Sequence, residues 1–144
     1  MRFWDSSALV PLLVAEDTSD ALESLFRDEQ TVAVWWGAEV ECASAAARLE
    51  REGRLTPREA NDVFRQLGRL ARAWNVIDPT ETIRDSATRF LRVHDLRAAD
   101  ALQLAAALVA AEGRPSTLPF VCLDDRLCAA AHREGFQVVE RAAL

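Results

Sequence analysis

MRFWDSSALVPLLV, residues 1–14, decides how this chain is read. A short β-prone run, Arg2 to Trp4, ends on an ionisable carboxylate, Asp5, and two serines lead at once into a second apolar run. Strand, carboxylate, serine, helix is one unit of an α/β alternation. Taken alone, Asp5 is most simply a helix N-cap, because a carboxylate there accepts hydrogen bonds from the first free N–H groups. It becomes more than a cap only if other carboxylates are delivered to the same place.

Outward from this stretch the alternation continues. Strand candidates are RFW (2–4), TVAVW (31–35), WNVID (74–78), PFVCL (119–123) and FQVVE (136–140). Segments of helical period lie between and around them: 7–15, 19–27, 38–52, 57–73, 81–93, 98–112 and 125–134. TPRE at Thr56 to Glu59 has capping-box spacing with proline at the first helical position, and Gly53, Gly113 and Gly135 follow expected helix ends. Such an order predicts an α/β fold, one domain over residues 1–144, with a mostly parallel central sheet of about five strands flanked by helices on both faces.

Composition narrows the function. With 50% apolar and 28% charged residues the chain is an ordinary globule, and its 144 residues suffice to bury a core without staples. A formal net charge of -6 argues against a protein that coats nucleic acid by charge alone, although it allows local carboxylates beside a local arginine patch. Every basic residue is arginine. Cys42, Cys122 and Cys128 have no ligand spacing and are expected as buried free thiols, and neither His94 nor His132 has a partner at zinc-ligand spacing. The longest apolar run, 101–111, is too short to span a bilayer, and no leader pattern precedes residue 5, so a cytoplasmic protein without a membrane partner is expected.

In open α/β sheets the functional crevice lies at the carboxyl ends of the strands, where strand order reverses. Asp5 ends the first strand candidate and Asp124 the fourth. Asp100 sits early in the apolar helix LRAADALQLAAAL, where an acid is costly unless it is wet, paired or near the helix start. The helix GAEVECASAAARLE adds Glu39 and Glu41, which lie about 200° apart around its axis, so at most one faces the crevice. Converging carboxylates repel one another unless a divalent cation binds or their pKa values shift. An oxygen-only set suits Mg²⁺ or Mn²⁺, and the chemistry that fits is metal-assisted hydrolysis of a phosphodiester.

FWDSSALVPLL, VECASAAARLEREGRL, LRAADALQLAAAL and FVCLDDRLCAAAHREGF, in that order and at those separations, resemble the four signature segments of PIN-domain ribonucleases, in particular the VapC toxins of bacterial toxin-antitoxin modules. The resemblance spans essentially the whole chain. It implies that Asp5, Glu41, Asp100 and Asp124 are the catalytic, metal-holding acids, with Ser7 supporting their geometry and Asp125 as the fallback for Asp124. It further implies an RNA substrate, a homodimer, and neutralisation by a VapB-like antitoxin. The chain departs from the pattern at Cys122, where many relatives carry Thr or Ser two residues before the last acid. A thiol is a weak hydrogen-bonding group, so support of Asp124 is the weak point of the match.

An RNase must also hold phosphates. Arg58, Arg65, Arg69 and Arg72 fall within about 60° of one another on the 57–73 helix, opposite an apolar stripe, and are the expected RNA-binding residues; Arg48, Arg51 and Arg54 would extend the patch. Of the adjacent pair Trp35 and Trp36, one should be more exposed than the other, since strand neighbours point to opposite faces. The competing function is a PIN-like module that binds RNA or protein without cutting, for which chelator and loss of any one acid would leave binding unchanged.

Overall fold

A computed structural model describes residues 1–29 and 31–144. Among these residues five strands form one sheet: β1 (Arg2–Trp4), β2 (Val32–Trp35), β3 (Asn75–Ile77), β4 (Phe120–Val121) and β5 (Val138–Val139). Their order is β3-β2-β1-β4-β5 and each pairing is parallel, with Phe3 registered against both Ala33 and Phe120. The helices are α1 (Ser6–Leu9), α2 (Ser19–Arg27), α3 (Ala38–Arg51), α4 (Pro57–Ala71), α5 (Glu81–Val93), α6 (Ala98–Ala110) and α7 (Asp125–Arg133). The α/β architecture expected from the alternation is the one observed.

Parallel strands cannot be joined by tight turns, so each connection carries helices over a face of the sheet. From β1 the chain steps outward through β2 to β3, then crosses back to lay β4 on the other side of β1. Reversing direction moves the later helices to the opposite face, as crossovers of one hand require. Period-two alternation then fills both sides. Phe3, Trp35 and Phe120 pack with Ile83 and Phe90 of α5, Leu104 of α6 and Leu127 of α7, whereas Trp4, Val34 and Val121 pack with Leu9, Leu22, Cys42 and Leu67 of the first four helices. Phe3 stacks on Phe120 at 5.4 Å and Trp4 meets Phe26 edge-on at 5.5 Å.

Helix α6 is the helix with apolar residues nearly all round, and Ala101, Ala105, Ala106 and Ala107 are fully buried. Alanine lets α6 lie close to the sheet on one side and to α5 and α7 on the others. All three cysteines are buried and free. Trp35 is 7% exposed and its neighbour Trp36 57%, the split that strand geometry predicts.

Two local expectations change. The helix read over 7–15 ends at Leu9 and tightens into a 3₁₀ turn at Val10–Leu12. Pro11 causes this, since it donates no N–H and its ring would collide with the carbonyl four residues back. β4 and β5 are two residues each, shorter than their apolar runs, because only Phe120 and Val121 pair with both neighbours before the chain must turn into α7.

Candidate active site

Strand order turns around between β1 and β4, so their carboxyl ends stand side by side over an open crevice. Asp5 follows β1; its N–H donates to the Val121 carbonyl at 2.9 Å and its side chain caps α1, accepting from the Ser7 N–H at 3.0 Å. Asp124 follows β4 and caps α7, accepting from the Leu127 N–H at 2.8 Å. Asp100, in the first turn of α6, accepts from the Arg97 N–H at 3.2 Å. Glu41, in the first turn of α3, accepts from the Ser6 hydroxyl at 2.7 Å and from the Gln103 amide at 3.1 Å. All four carboxylates line one cleft of about 350 Å³, together with Ser7, Glu16, Ser44 and Arg48.

Three of these acids thus tie down helix N-termini and still share one cleft with Glu41. Among the described residues each acid ties down a single oxygen: Oδ2 of Asp5, Oε2 of Glu41, Oδ2 of Asp100 and Oδ1 of Asp124. The partner oxygen of each carboxylate has no protein donor. Four positioned carboxylates with one spare oxygen apiece form a hard, oxygen-only donor set of the kind that suits Mg²⁺ or Mn²⁺. Among the described residues no three His, Cys, Asp or Glu side chains are drawn tightly enough to enclose an ion as they stand. Mg²⁺ needs no such enclosure, because it keeps several waters and takes one or two carboxylates.

Electrostatics agree with convergence. Burial pushes the Asp5 carboxyl up to about 6, against its Ser7 hydrogen bonds, and the charges of Glu41 and Asp100 add to the rise. Asp100 is raised as well, by burial first and then by Asp124, while Arg97 and Arg126 pull the other way. Burial lifts the Cys42 thiol to about 12, with Glu41 and Asp5 contributing. A protein keeps such mutually unfavourable charges together where they do something.

Ser7 is the joint of the site: its hydroxyl donates to Asp5 and accepts from the Leu123 N–H at 2.9 Å, tying the end of β1 to the end of β4. Cys122 does part of the same work. The Asp124 N–H donates to its sulfur at 3.3 Å, and the thiol lies 3.7 Å from the Asp5 carboxylate. Its hydrogen bond with Cys128 and its burial push the thiol pKa up, so it stays a protonated, weak donor. Glu39 and Asp125 each line a different hollow from the four acids. Arg58, Arg65 and Arg69 on α4 and Arg72 at its C-cap are exposed and do not line the cleft, whereas Arg48 does.

Polar residues at the site that escaped the sequence reading include Ser6, Gln103 and Glu16. Gln103 had a signal, standing three positions after Asp100 and so on the same face of an otherwise alanine and leucine helix. Ser6 and Glu16 had none, since their contacts depend on how α3 and the chain after Pro11 pack.

Comparison with known proteins meets this geometry. Residues 2–134 match the family described as PIN domain. Ribonuclease VapC45 and Ribonuclease VapC49, from two strains of Mycobacterium tuberculosis, are each 33% identical over 136 residues, covering 94% of this chain and 92% of theirs. Among solved structures, FitAcB from Neisseria gonorrhoeae superposes with a TM-score of 0.69 at 15% identity over 100% of both chains. A toxin-antitoxin complex from Klebsiella pneumoniae does so with 0.63 at 18% identity over 96% of each. A family match over nearly the whole length, relatives of this similarity, and a sheet whose switch point gathers four acids make the chain a member of the PIN-domain family, alongside its VapC proteins.

Proposed function

We propose that this protein is a divalent-metal-dependent endoribonuclease, the toxin of a toxin-antitoxin pair, active as a homodimer in the cytoplasm and neutralised by a cognate VapB-like antitoxin. The observation that carries the reading is the spare oxygen on each of Asp5, Glu41, Asp100 and Asp124 around one cleft. The ribonuclease names of relatives at 33% identity support the substrate class. The toxin-antitoxin title of the Klebsiella structure, a likeness of fold, is in keeping with an antitoxin partner.

In this reading Asp5, Glu41, Asp100 and Asp124 hold Mg²⁺ or Mn²⁺. When bound, the cation acidifies water and offsets charge at phosphorus. The protein's own contribution is positional. Ser7 fixes Asp5 against the end of β4, Ser6 and Gln103 hold one Glu41 oxygen so that the other faces the cleft, and the caps at Asp100 and Asp124 lock both side chains against their helices. Preset ligands spare the reorganisation that catalysis would otherwise require.

The test is cleavage of a mixed RNA pool by wild type and by Asp5→Asn, with Mn²⁺ or with chelator, mapping the ends. Cleavage by wild type in Mn²⁺ alone supports the reading. RNA binding without cleavage, unchanged by chelator, overturns it in favour of a non-cutting module.

A further inference from the structure

The acidic cleft poses a problem for its own substrate. Four carboxylates and Glu16 repel a polyanion, so phosphates need a cationic foothold at the rim. The α4 arginines do not line the cleft. Arg48 does. It stands seven residues after Glu41, two turns along the same face of α3, with only Ser44 and Ala45 between them on that face of the cleft wall. Although it shares the cleft with five acids, among the described residues Arg48 has no ion-pair partner within 4.0 Å. Arg97, the N-cap residue of α6 whose N–H holds Asp100 at 3.2 Å, and Arg126, two residues after Asp124 in the first turn of α7, do not line the cleft either but flank two of its acids along the chain, Arg126 lining the neighbouring hollow. Among the described residues Arg97 too lacks such a partner, and Arg126 holds only Asp95 at 3.8 Å, with both side chains of that pair mostly exposed. An exposed pair of that length costs little to break.

We propose that Arg48 on one rim and Arg97 with Arg126 on the other are phosphate-positioning residues, so that a single-stranded RNA backbone lies across the cleft from α3 to the α6/α7 edge. This assignment rests on the ribonuclease reading. A guanidinium suits the task because its planar fork pairs two phosphate oxygens at once. The arrangement puts phosphates on either side of the acids and leaves the scissile one over their spare oxygens. It also assigns a limited role to the outward arginine face of α4.

The test uses a fluorescein-labelled random single-stranded RNA 12-mer and the full chain in an Asp5→Asn background with Mg²⁺, measuring affinity against salt. Each of Arg48→Gln, Arg97→Gln and Arg126→Gln should weaken binding severalfold and lower the log–log salt slope by roughly 0.7, the loss of one phosphate contact on a single strand. Arg48→Lys should restore the slope. Arg114→Gln, beyond the far end of α6, serves as the control that changes neither. In the active background the three Gln variants should raise KM more than they lower kcat, with unchanged melting temperatures. Unaltered slopes for these three, or a slope lost on substituting Arg58, Arg65, Arg69 and Arg72 instead, would overturn the assignment while wild-type cleavage in Mn²⁺ left the ribonuclease reading standing. Absence of any wild-type cleavage would remove that reading itself and this assignment with it.

Discussion

Asp5 concentrates the cost of the site in a single side chain. Its carboxyl is buried and held up near 6, against 3.8 for an ordinary aspartate. Between those two values the unfolded chain has released a proton that the folded chain still holds, so stability falls as pH rises from about 4 to about 6 and stays reduced above it. The penalty is about 3 kcal/mol at neutral pH for the metal-free protein. Asp5→Asn keeps the α1 cap and accepts the Ser7 hydrogen bonds while removing the charge. Urea unfolding with chelator should show the variant more stable than wild type at pH 7 and equal to it at pH 3.5; a constant difference at both would contradict the assignment. A second residue-scale expectation concerns Gln103, which is buried, supports Glu41, and has its own amide oxygen unpaired. Gln103→Leu removes that orphaned group and should leave stability unchanged or higher, while metal affinity measured by calorimetry drops roughly 10–100-fold. Unchanged affinity would show that Ser6 alone positions Glu41.

At the scale of elements, two close approaches place the acids. Helix α6 carries Asp100 and Gln103 to the sheet edge because its buried alanines let it sit deep between the sheet and α5. Ala105→Leu inserts volume where none is free and should destabilise the fold by about 1–3 kcal/mol in urea unfolding. A smaller loss would mean that α6 can slide outward, and activity should then fall as Asp100 moves. The start of α3 is set by Gly37, where an added Cβ would come within 2.6 Å of the Trp35 indole nitrogen. That indole is buried and cannot swing away cheaply. Gly37→Ala should therefore cost about 1–3 kcal/mol as well, and reduce cleavage through Glu41 four residues on. Normal stability with normal activity would show that the ring has room to rotate.

For the whole molecule, the four acids make the fold's stability depend on what occupies the cleft. Anything that binds the folded chain alone stabilises it by mass action. Mn²⁺ at about a hundred times its dissociation constant should contribute about 2.7 kcal/mol, a rise of roughly 5–10 °C in melting temperature for a chain of this size. Chelator should reverse the rise, and Asp100→Asn should stabilise the metal-free form while blunting the response to Mn²⁺. Equal melting curves with and without the cation would mean the acids do not act together. No helix among the described residues is long and apolar enough to cross a membrane.

The fold class was legible because its signals are local: the five β-prone runs, the TPRE capping box and glycines after helix ends each follow from chain chemistry within a few residues. The acids were legible in type and order for the same reason. What lay beyond the sequence was anything set by packing between distant segments. Ser6 found Glu41 across 35 positions of sequence and Gln103 met the same carboxylate across 62, whereas the shortening of the first helix at Pro11 was local chemistry that the helical period passed over. The arginines show the difference most plainly. Helical period marked a clean face on α4, but period says only which residues share a face; the packing of α3 beside the strand ends decided that Arg48 lines the cleft with the acids. Sequence by itself determined the elements and the acids with their order along the chain, since these depend on local backbone preference and side-chain chemistry. Tertiary structure alone decided which carboxylate oxygens are spare and that Arg48 shares their cleft, because both depend on contacts made only when the sheet closes.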